Sequence, residues 1–259
     1  MKLSAEKKIK AMILAAGKGE RLGSLTAETP KPMLSVAEKP LLEWTINHLK
    51  NLGISDIVIN LNINLYGRKI YDYFEDGKKF DVNIKYSYED RLLGTAGAVK
   101  KAQPLLEDAD GFLVLYGDVF SNYDYRELIE KHFLYNKEDN LVATILLHQR
   151  QKSNSIVEIN NQGKIVEFIE RPDEKSDEKS YNNIHLVNSG LYFFDKKIFS
   201  YMLKDQFYDF PKDIFNILVR EEKIFAVLHQ GYRMAVDSAE RYFKLCEDVV
   251  NEKPFSNIY

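Results

Sequence analysis

Ala11-Met12-Ile13-Leu14-Ala15-Ala16-Gly17-Lys18-Gly19-Glu20-Arg21-Leu22 is the stretch on which the fold turns. Ala11 to Ala16 is apolar and short, the pattern of a buried strand. Two glycines, Gly17 and Gly19, end it. Lys18, Arg21 and then Lys31, in Thr29-Pro30-Lys31-Pro32, bring three cations into one loop. The backbone N–H groups of a glycine loop can approach phosphate oxygens closely, because no Cβ stands in the way. Clustered Lys and Arg then neutralise what the loop cradles. The stretch points to a nucleoside triphosphate and to chemistry at its phosphates.

Outward from this loop, the first half alternates strands and helices. Strands are expected at Ile54–Leu61, Val82–Tyr86 and Phe112–Tyr116. Helices are expected at Pro40–Leu52, Tyr66–Phe74, Ala96–Leu106 and Tyr125–Tyr135. Pro40 suits a first turn and Gly53 a C-terminal stop. Such alternation implies an α/β fold: a mostly parallel, doubly wound mixed sheet of Rossmann-like type with helices on both faces. Ligands then bind beyond the carboxyl ends of the strands.

The second half reads differently. Leu141–His148, Ser155–Asn160, Lys164–Ile169 and Leu186–Phe194 are strand-like, with Asn160-Asn161-Gln162-Gly163 as a hairpin turn. Asp173–Asn183 is a polar run expected as an exposed loop. Lys196–Lys204 and Pro211–Glu221 look helical. Ile224–Leu228 and Arg233–Val236 look like strands, and Ala239–Val250 like a closing helix. The expected organisation is an extension at 1–9, one domain at 10–250 and a tail at 251–259. Within the domain, residues 10–140 form a nucleotide half and 141–250 a sugar half.

The bulk numbers bound the function. The chain has 259 residues, 45% hydrophobic, with a net charge of -3. That suffices for a full α/β core. It disfavours a basic nucleic-acid binder, so positive charge must be concentrated locally. Cys246 is the sole cysteine, which excludes an intrachain disulfide and fits a reducing cytoplasm. Met1–Lys10 is charged rather than apolar, unlike a secretory leader. No stretch approaches the ~20 apolar residues of a membrane span.

Gly17-x-Gly19 opens the dinucleotide fingerprint, but position 22 is Leu, and Pro30 and Pro32 forbid an immediate long helix. A dinucleotide-dependent oxidoreductase is therefore disfavoured. Taken alone, the loop reads equally well as an ordinary glycine turn with solvated cations. Leu93-Gly94-Thr95-Ala96-Gly97-Ala98 opens a helix whose N-terminus favours an anion or an acceptor edge; helix–sheet packing explains it equally. Tyr116-Gly117-Asp118 places a carboxylate at a strand end, where Mg²⁺ could sit between phosphates; Gly-Asp is also a common turn. The five histidines, His48 and His148 among them, show no ligand spacing and read as ordinary surface or core residues.

Together, Leu14–Leu22, Lys31-Pro32, Gly117-Asp118, Phe168-Ile169-Glu170-Arg171-Pro172, Val187-Asn188-Ser189-Gly190-Leu191-Tyr192 and Met234-Ala235-Val236-Asp237 resemble the sugar-1-phosphate nucleotidyltransferase family. The resemblance spans about residues 10 to 245. It departs at Arg171, where the family usually has Lys. It departs again at Ser238-Ala239, where Gly-Thr is common, which puts Asp237 in question. Leu93–Gly97 most resembles mannose- and manno-heptose-1-phosphate guanylyltransferases. The implied reaction joins an NTP, here GTP, to a mannose or manno-heptose 1-phosphate, releasing pyrophosphate and supplying nucleotide sugar for cell-surface polysaccharide. Cytidylyl, uridylyl and thymidylyl transfer, to another sugar or to a non-sugar phosphate, stay open.

The resemblance implies roles for single residues. Arg21, Lys31, Asp118 and Arg171 form the catalytic set. Leu14, Ala15, Ala16, Gly17, Lys18, Gly19, Arg21, Lys31, Glu89, Gly94 and Thr95 hold the nucleotide. Gly117, Glu170, Arg171 and Asn188 hold the sugar phosphate. Asp118 and Asp237 hold Mg²⁺. No nucleic-acid or membrane partner is expected, homo-oligomers occur in such families, and the chain lacks room for the carboxy-terminal β-helix of longer relatives. A non-catalytic nucleotide-sugar-binding subunit is the reading from another class; it predicts a broken set of cations and acids, and here the set is intact.

Overall fold

The computed structural model describes residues 7–17, 19–63, 66–151, 155–171 and 184–255. The first strands are β1 (Ile9–Leu14), β2 (Ser35–Val36), β3 (Lys39–Pro40), β4 (Asp56–Asn62), β5 (Asn83–Glu89), β6 (Gly111–Tyr116) and β7 (Val119–Ser121). The later ones are β8 (Ala143–Arg150), β9 (Ser155–Ile159), β10 (Ile165–Glu170), β11 (His185–Phe194), β12 (Ile224–Leu228) and β13 (Arg233–Ala235). The α-helices are α1 (Leu41–Asn51), α2 (Gly67–Phe74), α3 (Gly94–Lys101), α4 (Gln103–Leu106), α5 (Tyr125–Asp139), α6 (Phe215–Arg220) and α7 (Ala239–Val250).

One sheet of nine strands runs through both halves, in the order β10-β9-β11-β6-β1-β4-β5, with β8 against β11 and β12 against β8. The nucleotide half is all parallel, as the βα alternation requires. The other half supplies the antiparallel part of the expected mixed sheet. There β11 runs antiparallel to β6, β8 and β9, and only β12–β8 is parallel. The antiparallel β9–β10 pair is a hairpin, whose turn is closed where the Asn160 side chain accepts from the N–H groups of Gln162 and Lys164.

Side chains leave each central strand to alternate faces. Ala11 and Ile13 face a cluster with Leu42, Ile46 and Leu49 of α1, Ile70 and Phe74 of α2, and Leu128 and Ile129 of α5. Met12, Phe112 and Val114 face the other cluster, with Ala98 and Val99 of α3 and Phe215 and Leu218 of α6. A third, smaller cluster joins Leu22, Val36, Phe120 and Val236 to Leu245 and Val249 of α7.

Three elements differ from expectation. The expected helix Ala96–Leu106 starts earlier and splits into α3 and α4, because Pro104 has no N–H and its ring would strike the preceding turn. Pro211–Glu221 begins as a wide π-helical turn, Phe210–Ile214, before α6. Only Lys196–Tyr201 of Lys196–Lys204 is helical, and it is a 3₁₀ turn capped by Asp195. The expected loop Asp173–Asn183 lies outside the described residues.

Register positions the site. Leu14 stands opposite both Asn60 and Tyr116, and Asn62 stands opposite Glu89. The carboxyl ends of β1, β4, β5 and β6 therefore share one edge.

Candidate active site

A cleft lies along that edge. Its first lobe is lined by Leu14, Ala15, Ala16, Gly17, Gly19 and Lys31 from the opening loop, and by Asn60, Glu89, Leu92, Gly94 and Phe207 opposite. Its second lobe is lined by Arg21, Glu170, Arg171, Asn188 and Asp237 among others. Thr95, Tyr116, Asp118 and Asp209 line both, so the lobes are continuous.

In the first lobe, Ala15 N–H donates to Asn60 Oδ1 (2.7 Å), and Asn60 Nδ2 donates to Glu89 Oε1 (2.9 Å). Glu89 is 1% exposed. Burial pushes its carboxyl above the ordinary glutamate range, and the Asn60 and Leu93 donors offset part of that. The side chain is thus pinned at the wall of the lobe as an acceptor. Asn60 had a legible signal, a lone amide ending the apolar run Ile57–Ile59.

Gly94 has φ +74°, and a Cβ there would stand 2.3 Å from the Tyr208 carbonyl oxygen. That oxygen accepts from Ala96 N–H (2.9 Å) and Gly97 N–H (3.2 Å). The Ala96 and Gly97 amides at the start of α3 are thus held by Tyr208 rather than free for a ligand anion. Thr95 Oγ1 likewise donates to Asp209 Oδ1 (2.6 Å) and accepts from Phe210 N–H (2.9 Å).

Between the lobes, Lys31 Nζ lies 3.3 Å from Asp118 Oδ2, with Lys31 8% exposed. Gly19 packs on the Lys31 stem: φ is +74°, and a Cβ would meet Lys31 Cγ at 3.0 Å. Gly117 is placed differently from expectation. It lines neither lobe; its N–H donates to the Leu14 carbonyl (2.9 Å), where it joins β6 to β1. Arg21 lines the second lobe rather than the first, and Lys18 lies outside the described residues.

The second lobe rests on a relay of hydroxyls. Asn188 Nδ2 donates to Tyr192 OH (2.8 Å), which donates to Tyr116 OH (3.1 Å). Asn188 Oδ1 also accepts from Gly190 N–H (3.0 Å), so each end of the amide keeps one position for a ligand. Burial, and then Asp209, raise the Glu170 carboxyl. Arg171 is exposed at φ +56°, a left-handed conformation that turns the chain out of β10.

The β7–β13 ribbon brings the last acidic residue in. Ala235 pairs with Val119, and Val236 N–H donates to the Asp118 carbonyl (2.8 Å). Asp237 then lines the same lobe as Asp118, with Arg241 Nη1 donating to its Oδ2 (2.9 Å). Sequence reasoning missed Arg150, Arg233 and Arg241, and it read His148 as ordinary; all four line this lobe.

A divalent cation is implied by the family resemblance. Among the described residues, no three His, Cys, Asp or Glu side chains converge on one point. The two hard carboxylates, Asp118 and Asp237, each already face a cation. This donor set fits Mg²⁺, which is held by one or two carboxylates and completed by water and substrate phosphates.

The model of the nucleotidyl transferase family matches residues 10–248. The chain belongs to that family. It is 33% identical over 227 residues to a UTP–glucose-1-phosphate uridylyltransferase of Synechocystis sp., covering 82% of this chain and 55% of the relative. It is 30% identical over 233 residues to a mannose-1-phosphate guanyltransferase of Saccharomyces cerevisiae, covering 88% and 61%. A solved Bacillus anthracis structure, described as a glucose-1-phosphate thymidylyltransferase in complex with sucrose, superposes with a TM-score of 0.78. It shares 25% identity and covers 92% of this chain and 94% of its own. The chain spans little more than half the length of the curated relatives. No helix among the described residues is long and apolar enough to cross a membrane.

Proposed function

We propose that this nucleotidyl transferase joins an NTP to a sugar 1-phosphate, giving a nucleotide sugar and pyrophosphate. The observation that carries the reading is the Lys31–Asp118 pair at 3.3 Å, at the junction of two continuous lobes. A cation and a carboxylate side by side at that junction support a meeting point for two phosphate-bearing substrates.

A phosphate oxygen of the acceptor attacks the α-phosphorus of the NTP, and the bond to the pyrophosphate oxygen breaks. The nucleophile is already an anion, so no general base is needed. The task is to hold two anions in line and to stabilise the charge spread over the transferring group. Lys31 faces the α-phosphate, Arg21 the charge that develops on the transferring group, and Arg171 the acceptor phosphate. Glu170 and Asn188 accept and donate to sugar hydroxyls. A Mg²⁺ ion on Asp118, with Asp237, would neutralise phosphate charge and help orient the leaving group.

For the base we propose guanine. Glu89 is acceptor-only when ionised, and Asn60 fixes its orientation. Guanine offers adjacent N1–H and N2–H donors to such a carboxylate. Uracil offers one N–H between two acceptors, and cytosine an amino group beside an acceptor. UTP is the second reading, favoured by the uridylyltransferase relative. Pyrophosphate release from ATP, GTP, CTP, UTP and dTTP, each against mannose, manno-heptose and glucose 1-phosphates, tests this. GTP is expected to lead; a higher kcat/KM for UTP overturns the base assignment. No release with any pair favours the non-catalytic binding subunit.

A further inference from the structure

The second lobe distributes its positive charge unevenly. Arg21, Arg171 and Lys212 line it, and so do Arg150, Arg233 and Arg241. Against these six cations it offers four carboxylates: Asp118, Glu170, Asp209 and Asp237. The excess is concentrated where β8 ends, where β13 begins and in the first turn of α7. Arg241 has Asp237 as its counter-charge. Arg233 has no ion pair among the described residues: its Nε and Nη2 donate to the neutral Ser189 carbonyl at 3.0 and 2.6 Å. The Arg150 backbone pairs with His185 in the β8–β11 ladder, but its side chain makes no hydrogen bond or ion pair with another described residue and is exposed.

These groups feel one another. Burial, then Arg241, lower Arg233 to about 10, with Asp118 opposing and Arg150 adding to the fall. Burial, then Arg233, His229, Arg150 and Arg241, lower His148 to about 3. His148 is thereby kept neutral, with its Nδ1 2.9 Å from Ser189 Oγ. Bringing guanidiniums together is unfavourable in the empty protein, because like charges repel. It becomes favourable when an anion arrives, because a planar guanidinium binds a carboxylate or phosphate by paired N–H donors.

We propose that the acceptor is a sugar 1-phosphate carrying a second anionic group, held by Arg150 and Arg233 with Arg241 behind them. This rests on the second lobe being the acceptor site. Arg171 and Lys212 answer the 1-phosphate; the arginine cluster answers the second anion. A carboxylate and a second phosphate share this chemistry, and the experiment separates them.

Pyrophosphate release is measured with matched acceptors that differ in charge: glucose against glucuronate 1-phosphate, N-acetylglucosamine against N-acetylmuramate 1-phosphate, and glucose 1-phosphate against glucose 1,6-bisphosphate. At least one acidic member is expected to exceed its neutral partner tenfold or more in kcat/KM. A lead of the carboxylates or of the bisphosphate identifies the anion. That ratio should fall toward one in Arg150→Gln and in Arg233→Gln. The Arg150 side chain holds nothing in the described fold, so its variant keeps the test open if Arg233→Gln fails to fold. The proposal is overturned if every neutral member equals or exceeds its acidic partner. It is also overturned if the variants depress both members equally, which would put the cluster on the 1-phosphate. Absence of release with all acceptors fails the acceptor reading itself, a result distinct from a neutral preference.

Discussion

Lys31 Nζ lies 3.3 Å from Asp118 Oδ2, across 87 residues of sequence. The pair ties the loop after β1 to the end of β6, and it spans the junction of the two lobes. Asp118→Ala is expected to lower kcat at least a hundredfold, about 2.7 kcal/mol of transition-state stabilisation, with the far-UV spectrum unchanged. Turnover within tenfold of the parent would remove Asp118 from the reacting centre. Lys31→Ala should reduce kcat more than it raises the KM for the sugar phosphate. A change confined to that KM would contradict its place at the α-phosphate.

Glu89 makes a prediction about both base and pH. Glu89→Gln replaces an acceptor oxygen by a donor, so the KM for GTP should rise tenfold or more while the acceptor KM stays put. The folded pKa of Glu89 lies above the ordinary value because the group is buried. The ionised form, which accepts from the base, is therefore lost earlier on acidification than an exposed glutamate would be. Acid weakening of GTP binding should begin above the usual glutamate range, and Glu89→Gln should abolish that limb. An unchanged pH profile of the KM in the variant would exclude Glu89 from the base edge.

How much of this could be read from the chain follows from where each signal is stored. The opening loop, Lys31-Pro32 and Gly117-Asp118 are local patterns, and the parallel half follows from βα alternation, which is also local. The course of β11 is not local. It pairs with β6, β8 and β9 across the middle of the sheet, a choice set by long-range burial of Val187, Tyr192 and Phe194. The tyrosine relay of Tyr116 and Tyr192 was invisible for the same reason, since the two are 76 residues apart. Arg150 and Arg233 end and begin strands, positions where arginine is ordinarily a solvated charge. Only the folding of β8 against β11, and of β13 against β7, turns them inward toward one lobe.

His132 links stability to pH. It is 0% exposed, with Nδ1 2.9 Å from Thr144 Oγ1 and no partner on Nε2. Burial lowers its pKa from 6.5 to about 4. The unfolded chain therefore takes up a proton near pH 6.5 that the folded protein refuses until about pH 4. Stability is fully present above the unfolded value and is lost as pH falls through this window, by at most about 3 kcal/mol for this one group. His132→Asn keeps a side chain that can bond Thr144 and removes the titration. Urea midpoints between pH 7 and pH 4.5 should fall less steeply for the variant than for the parent. Equal slopes would mean that His132 does not contribute to acid unfolding.

Gly94 makes the last prediction, about the seam between the lobes. A methyl group there would stand 2.3 Å from the Tyr208 oxygen, which holds the Ala96 and Gly97 amides of α3. The same residue has φ +74°, where an L side chain is strained. Left-handed strain costs about 1–2 kcal/mol, and overpacking against backbone adds about 1–3 kcal/mol. Gly94→Ala should therefore destabilise by about 3 kcal/mol, which lowers Tm by roughly 6–12 °C for a domain of this size. The displaced segment carries Phe207 and Asp209, which line the nucleotide lobe and the junction. The KM for NTP should consequently rise together with the loss of stability. A Tm within 2 °C of the parent would show that the Tyr208 segment yields freely; the α3 N-terminus would then be open to a ligand after all.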